Sequence, residues 1–205
     1  DFRHRCRCFL VRRGRGMALR RRGLLGMFVV QYELRPNLVS PLPEPPGSSV
    51  ASLNTHDMPT FASFWEGRDI RQRRESGLLD VHGAREESRR RVRMRAALAR
   101  WLRLKEASPR LSGQWLRLKG RAGRAAILRA CLRWLSASRS RMIQISLEDL
   151  WGETEPQNVP GTSTERPNWR RKWRYRLEPL KANRGIQKIL RQAASLRKRG
   201  SSQSD

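Results

Sequence analysis

The sequence predicts an α/β fold, and three observations lead to this prediction. Apolar runs of strand length occur at residues 27–34, 50–53 and 141–147. Longer segments with helical periodicity lie between them, at residues 60–74, 85–107 and 122–137. Polar side chains follow the second and third runs directly. Strands that alternate with helices in this way form parallel sheets. We therefore expect a parallel sheet with polar groups gathered at the carboxyl ends of its strands.

The first strand is predicted from a nearly continuous apolar run. Residues 27–34 contain only Gln31 and Glu33 as strongly polar interruptions, which is typical of a parallel strand buried on both faces. Five prolines fall within residues 36–46, so residues 37–49 are expected to form a loop. The second strand, residues 50–53, follows that loop.

The helices are predicted from apolar spacing and from the residues that end them. Residues 122–137 show the clearest pattern, an apolar stripe at i, i+3, i+4 and i+7 formed by Leu128, Cys131, Leu132 and Leu135. We interpret this stripe as a core-facing surface. Weaker patterns predict a short helix at residues 17–22, a helix or strand end at 174–180, and a basic helix that frays into a polar tail over 183–205.

The residues best suited to bind a ligand or to take part in catalysis follow the second strand. Residues 54–57 read N-T-H-D, four side chains that hydrogen-bond to ligands, and Pro59 prevents the strand from continuing. In barrels of alternating strands and helices, catalytic groups lie at the carboxyl ends of strands. A plain turn stabilised by an Asn or Asp side chain is the alternative.

Residues 54–57, followed by F-W-E-G-R-D at 64–69, resemble the amylomaltase (4-alpha-glucanotransferase, disproportionating enzyme) family. Further segments resemble the same family in the same order. They are G-M-F-V-V-Q-Y-E-L at 26–34, L-E-D-L-W at 147–151, E-P-Q-N-V-P-G-T at 155–162 and R-P-N-W-R-R-K at 166–172. The combination extends over roughly residues 16–180.

The resemblance implies the C-terminal part of a (β/α)8 TIM-type barrel, incomplete in this chain. A full barrel needs roughly 250 residues, and this sequence has 205, so we expect a fragment. The implied division is an unmatched Arg/Cys-rich segment at 1–15, the barrel part at 16–182, and the basic helix and tail at 183–205. An upstream part of the same enzyme is expected to complete the barrel.

The implied activity is transfer of a segment of a 1,4-α-D-glucan to a new 4-hydroxyl acceptor by a retaining double displacement. That chemistry needs a nucleophilic carboxylate and an acid/base carboxylate. By resemblance Asp57 is a third carboxylate, which stabilises the transition state. His56, Asn54, Asn158 and Trp65 are the implied substrate-binding residues. Trp65 and Trp151 are candidates to stack on sugar rings, although large aromatic side chains near barrel ends more often belong to the core.

The nucleophile and the acid/base of the family have no match in this sequence. No carboxylate lies between Asp1 and Glu33, and Glu33 does not occupy a family acid position. We therefore expect this chain to be inactive alone. Maltooligosaccharides and α-1,4-glucans are the implied partners, and no cofactor is expected.

The formal net charge of +27 suggests an alternative, a basic protein that binds nucleic acid. Only six of the 45 basic residues are lysine, and the charges are spread along the whole chain. Zinc-finger spacing, RNP-like aromatic motifs and heptads are all missing from the sequence. We therefore consider nucleic acid an unlikely partner.

Three cysteines, Cys6, Cys8 and Cys131, argue against a disulfide framework and fit a reducing cytoplasm. With His4 they lack the paired spacing of a zinc site, so no metal is expected. A hydrolase with a Ser or Cys nucleophile is disfavoured because no G-x-S-x-G motif occurs. No apolar run reaches membrane-spanning length.

Overall fold

The computed structural model describes residues 21–105, 120–164, 166 and 168–201. The segment expected to be unmatched, residues 1–15, lies outside this range, as do residues 202–205 and most of the short helix expected at 17–22. Within the described residues, strands and helices follow one another in this order: β1 Gly26–Val29, α1 Val30–Glu33, β2 Ser49–Ser52, α2 Phe61–Glu66, α3 Arg68–Glu75, α4 Val81–Lys105, α5 Gly120–Ser136, β3 Met142–Gln144, α6 Leu147–Leu150, α7 Leu177–Ala182 and α8 Arg184–Ser201.

The three strands form a parallel sheet in the order β1-β2-β3. Phe28, Ala51 and Ile143 are aligned across the sheet, and this row packs into the hydrophobic core together with residues of α4 and α5. The α/β prediction is therefore confirmed, with a small parallel sheet that packs one face against helices.

One residue earlier in each strand, a second row contains more exposed apolar side chains. Met27, Val50 and Met142 are aligned across the three strands. Because side chains alternate between the two faces of a sheet, this row lies on the face opposite to the core row. Met27 is 66% exposed and Met142 is 56% exposed. We refer to these three residues as the apolar row.

Helix α5 forms the centre of the core, as its apolar stripe predicts. Leu128, Cys131, Leu132 and Leu135 are all buried, and α5 packs against α2, α4 and α8. The predicted boundaries, residues 122 and 137, differ from the observed ones by two residues and one residue. Among the described helices, none combines the length and the apolar character needed to cross a bilayer.

The strand expected over residues 27–34 is wrong in its second half. The strand ends at Val29, and residues 30–33 turn into α1. One helical turn places Val30 and Leu34 on the same side, and both are buried. The Leu34 N–H donates to the Val30 carbonyl over 2.9 Å. A short apolar run buries equally well as a strand or as a helical turn, so its composition alone did not separate the two.

The helix expected over residues 60–74 is two helices, α2 and α3. They meet at Gly67, which has φ of +72° and whose N–H donates to the carbonyls of Ser63 and Phe64. A left-handed glycine that bonds back to the preceding turn is a common way to end a helix. The strand expected over 141–147 is also shorter, because it ends at Gln144 and α6 begins at Leu147.

Candidate active site

The segment between β2 and α2 carries the N-T-H-D motif, and we call residues 54–60 the site loop. Asp149, in α6, holds both of its ends. The Asn54 side-chain amide donates to Asp149 Oδ2 over 2.9 Å. The Phe61 backbone N–H, just beyond the loop, donates to Asp149 Oδ1 over 2.7 Å. One buried carboxylate therefore fixes the entry and the exit of the loop.

Further hydrogen bonds hold the second half of the loop. The Pro59 carbonyl accepts from Gln31 Nε2 over 3.1 Å and from the Asn54 amide over 3.4 Å. Thr60 caps α2 by accepting from the Ser63 N–H, and its hydroxyl donates to the Glu153 carbonyl over 2.6 Å. The loop is thus tied to α1 and to the segment after α6.

The buried position of Asp149 changes its acidity. Burial raises the pKa of Asp149 to about 7, against the hydrogen bonds from Phe61 and Asn54, which lower it. The neighbouring Glu148 carboxylate adds to the rise. A carboxylate removed from water is destabilised in its charged form unless donors surround it. Here the two donors belong to the two ends of the site loop.

The middle of the loop presents His56 and Asp57 to solvent. Their side chains are 69% and 49% exposed, and His56 Nε2 lies 3.2 Å from Asp57 Oδ2. The Asn158 side-chain amide donates to Asp57 Oδ1 over 2.6 Å. Asp57 is therefore oriented through both oxygens, by a sequence neighbour and by a residue 101 positions away. A carboxylate oxygen has two lone pairs, so each can still accept from a ligand.

The segment that carries Asn158 is itself held by polar contacts. Asn168 Oδ1 accepts from the Val159 N–H over 3.1 Å, and the Asn168 amide donates to the Thr162 carbonyl over 3.2 Å. The Trp169 N–H donates to the Gln157 carbonyl over 2.9 Å. Trp169 has φ of +62°, and its exposed ring lies 5.7 Å from the His56 ring, centroid to centroid.

Arg171 links this segment to α6 and to the residues after it. Its guanidinium donates to Glu148 Oε1 over 2.5 Å and to Glu153 Oε2 over 3.1 Å. Burial raises the pKa of Glu153, but the N–H groups of Glu155 and Thr154 and the charge of Arg171 outweigh it, so the pKa is lowered. Gln157 donates to the same Glu148 oxygen over 2.9 Å.

Three of the five predicted site residues come together and two lie in the interior. Asp57, His56 and Asn158 form one exposed cluster. Asn54 is buried against Asp149. Trp65 is buried and stacks on Phe61 with ring centroids 5.7 Å apart. A role for Asn54 or Trp65 in sugar binding therefore rests on the sequence resemblance alone.

Two residues acquire importance only in the structure. Asp149 anchors the site loop, and Trp169 places an aromatic ring beside His56. Both lie inside the segments that carry the resemblance, but nothing in the sequence separates Asp149 from Glu148 or Trp169 from Trp173. Within the described residues, no three His, Cys, Asp or Glu side chains stand together as metal ligands do.

Comparison with known proteins identifies the family of this chain. The sequence model of the family described as 4-alpha-glucanotransferase matches residues 15–178. Over 156 residues the chain is 33% identical to a 4-alpha-glucanotransferase of Mycobacterium bovis. The aligned region covers 73% of this chain and 20% of that protein. Over 150 residues it is 29% identical to a 4-alpha-glucanotransferase of Haemophilus influenzae. That aligned region covers 73% of this chain and 21% of the relative.

Two solved structures share the fold. The crystal structure of amylomaltase from Corynebacterium glutamicum superposes with a TM-score of 0.70 at 22% identity, covering 89% of this chain and 27% of that one. Amylomaltase from Streptococcus agalactiae in complex with acarbose superposes with a TM-score of 0.56 at 17% identity, covering 92% and 30%. The chain spans about a fifth of the length of the curated relatives it matches.

Proposed function

Because the chain belongs to the 4-alpha-glucanotransferase family, we propose that it forms the C-terminal part of the catalytic barrel of such an enzyme. The enzyme transfers a segment of a 1,4-α-D-glucan to the 4-hydroxyl of another sugar by a retaining double displacement. The parallel sheet, with the site loop directly after β2, supports this proposal because barrels of this type keep their catalytic groups after the strands.

The observation that carries the proposal is the 2.6 Å hydrogen bond from Asn158 to Asp57. It joins two distant segments into one polar surface that has a carboxylate at its centre. In the proposed reaction Asp57 accepts hydrogen bonds from sugar hydroxyls, and these bonds tighten as the ring distorts towards the transition state. His56 and Asn158 keep the carboxylate oriented and contact the same sugar, while Trp169 supplies an aromatic face.

The nucleophile and the acid/base belong, in this proposal, to the upstream part of the same enzyme. That part also supplies the remaining strands of the barrel. Maltooligosaccharides and α-1,4-glucans are the proposed substrates, and the complex of the Streptococcus agalactiae relative with acarbose supports an oligosaccharide ligand. The chemistry requires no metal or organic cofactor. We keep residues 16–182 as the proposed extent of the barrel part and the cytoplasm as the proposed location.

Nothing in the family match or in the similar structures favours the nucleic-acid alternative. The high charge therefore serves as an argument about solubility and non-specific association, not about a specific partner.

The proposal is tested by titrating the chain with maltotetraose while following the ¹⁵N resonances of the site loop and of the Trp169 indole. We expect saturable shifts at His56, Asp57 and Trp169. Asp57→Asn is expected to weaken binding about tenfold, and Asn158→Ala about fivefold, as for the loss of a hydrogen bond worth about 1 kcal/mol. Glu75→Gln removes the same charge from an exposed position on α3 and is expected to leave the affinity unchanged.

Equal effects of Asp57→Asn and Glu75→Gln, or the absence of saturable shifts at the loop, would refute the assignment of the site. A second assay tests the division of labour between the two parts of the enzyme. The chain alone is expected not to disproportionate maltotriose, and clear conversion would show that it contains a nucleophile of its own.

A further inference from the structure

A polar cavity of about 240 Å³ lies where the junction of α2 and α3, the start of α5 and the segment after α6 meet. Its lining contains no residue of the site loop. Four arginines contribute to the wall together with Trp151 and Thr154; they are Arg68, Arg121, Arg124 and Arg174. Glu66 and Arg68 of the 64–69 motif thus line a space that the proposed glucan reaction does not use.

The carboxylates in this wall are already engaged. Glu66 lies between two arginines, because Oε2 accepts from Arg68 Nε over 2.7 Å and Oε1 accepts from Arg124. The Arg124 side chain is 9% exposed and the Glu66 side chain is 31% exposed, so this pair is partly removed from water. One carboxylate oxygen of Glu153 accepts a hydrogen bond from Arg171, and the other accepts from the backbone N–H groups of Thr154 and Glu155.

The remaining two arginines leave the cavity with an excess of positive charge. Within the described part of the chain, neither Arg121 nor Arg174 has a carboxylate within 4.0 Å, the limit for a salt bridge. The Arg174 guanidinium carbon lies 5.8 Å from the centroid of the Tyr175 ring. Both side chains belong to exposed residues, so they are available to a ligand without breaking an ion pair.

A buried donor outside hydrogen-bond geometry also indicates that the cavity wall has groups available to a ligand. The indole Nε1 of Trp151 is buried, and no group in the described residues accepts from it in hydrogen-bond geometry. The Glu153 carboxylate attracts this N–H, which helps to lower the pKa of Glu153, although the two groups do not meet hydrogen-bond geometry. A buried unsatisfied N–H is costly, so such a group calls for a ligand or a water.

Gly152 allows the wall to close tightly around Arg124. It has φ of +73°, and a Cβ at this position would lie 2.9 Å from an Arg124 terminal nitrogen. A side chain at this position would be strained by the positive φ and would require the Arg124 guanidinium to shift.

We propose that this cavity binds a phosphate group, either as inorganic phosphate or as the phosphate of a sugar ester. The wall offers the guanidinium N–H donors of Arg121 and Arg174 and the indole N–H of Trp151, which suit the oxygens of a doubly charged anion. The cavity volume of about 240 Å³ accommodates a phosphate or a small phosphorylated sugar. The proposal stands independently of the glucan reaction.

The first test is calorimetric titration of the chain with inorganic phosphate at constant ionic strength. We expect one saturable site in the native chain and at least a tenfold loss of affinity in Arg121→Gln/Arg174→Gln. Arg90→Gln/Arg100→Gln removes the same charge from exposed positions on α4 and is expected to retain the site. An equal loss in both double variants, or linear non-saturable binding, would show that phosphate responds only to the net charge of +27.

The second test follows the ¹⁵N–¹H indole resonance of Trp151, assigned by its absence in Trp151→Phe. Phosphate is expected to shift the indole proton downfield as the N–H gains an acceptor, and sodium chloride at equal ionic strength is expected not to. Glucose 6-phosphate distinguishes the two sources of the group: tighter binding than inorganic phosphate assigns a sugar ester, and equal or weaker binding assigns the free ion. Saturable binding that leaves the Trp151 resonance unmoved would place the anion elsewhere and overturn the proposal.

Discussion

Asp149 is the residue on which the position of the site loop depends most directly, and its acidity makes that dependence measurable. The pKa of about 7 lies above its ordinary value of 3.8. Between these values the folded chain holds a proton that the unfolded chain has released. Raising the pH through this range therefore lowers the free energy of unfolding, by up to about 4 kcal/mol at about 1.4 kcal/mol per pKa unit. Urea unfolding at pH 4.5 and at pH 8 measures this change.

Asp149→Asn separates this effect from the titration of the other acidic groups. The variant keeps the shape of the side chain but cannot titrate, so its stability is expected to fall less between pH 4.5 and pH 8 than that of the native chain. The difference in free energy of unfolding between the variant and the native chain at a single pH is less informative. The new amide faces the Asn54 amide, so one hydrogen bond is lost at every pH. Parallel pH profiles for the two proteins would contradict the raised pKa.

The candidate site could be predicted from sequence as far as its exposed residues are concerned. Asp57, His56 and Asn158 were expected in one place because of the family resemblance, and they lie in one cluster. Asn54 is grouped with them because it is a polar residue of the same matched motif. Its amide instead points inward to Asp149. Sequence proximity within a loop does not tell which side chains face the ligand and which ones hold the loop.

The eight helices and three strands of the described residues show which elements a periodic pattern can specify. Helix α5 was predicted within two residues because a long stripe of one period admits a single interpretation. The run at 27–34 and the segment at 60–74 are each predicted as one element and are two in the structure. In residues 60–74, Gly67 marks the break between the two helices, since a glycine in a helical pattern can mark a helix end.

Helix α8 is attached to the rest of the fold by Arg197 as well as by its apolar face. The Arg197 guanidinium donates to the carbonyls of Ser138 and Ser140, over 2.8 and 2.6 Å, just beyond the end of α5. A positive charge at the carboxyl end of a helix also suits the helix dipole. We expect Arg197→Ala to lower the free energy of unfolding by about 1.5–3 kcal/mol, as for hydrogen bonds from a charged donor.

The matched control for Arg197 is Arg191, on the same helix. Its guanidinium contacts Gln187 on an exposed surface, and Arg191→Ala is expected to change stability by less than about 0.5 kcal/mol. Hydrogen exchange adds the location of the effect. Faster exchange in α8 and in residues 138–141 of Arg197→Ala is expected, and exchange that rises uniformly over the whole chain would contradict a local attachment.

At the scale of the whole molecule, two features with opposite effects on association coexist. The net charge of +27 keeps copies of the chain apart. The apolar row and the free edges of β1 and β3 within the described sheet favour contact with other chains. Charge repulsion acts over a Debye length of about 10 Å at 0.1 M salt and only about 3 Å at 1 M. Apolar contact is not screened by salt, so ionic strength decides which feature dominates.

We therefore expect the isolated chain to be monomeric at low salt and to associate as sodium chloride approaches 1 M, measured by light scattering across a concentration series. Met142→Lys places a charge in the apolar row and is expected to suppress association at high salt. Val92→Lys adds the same charge on the exposed side of α4 and is expected to have little effect. If both variants suppress association equally, net charge alone controls it. If only Met142→Lys does, the apolar row is the contact surface, which is consistent with a face that the remaining strands of the proposed barrel would cover.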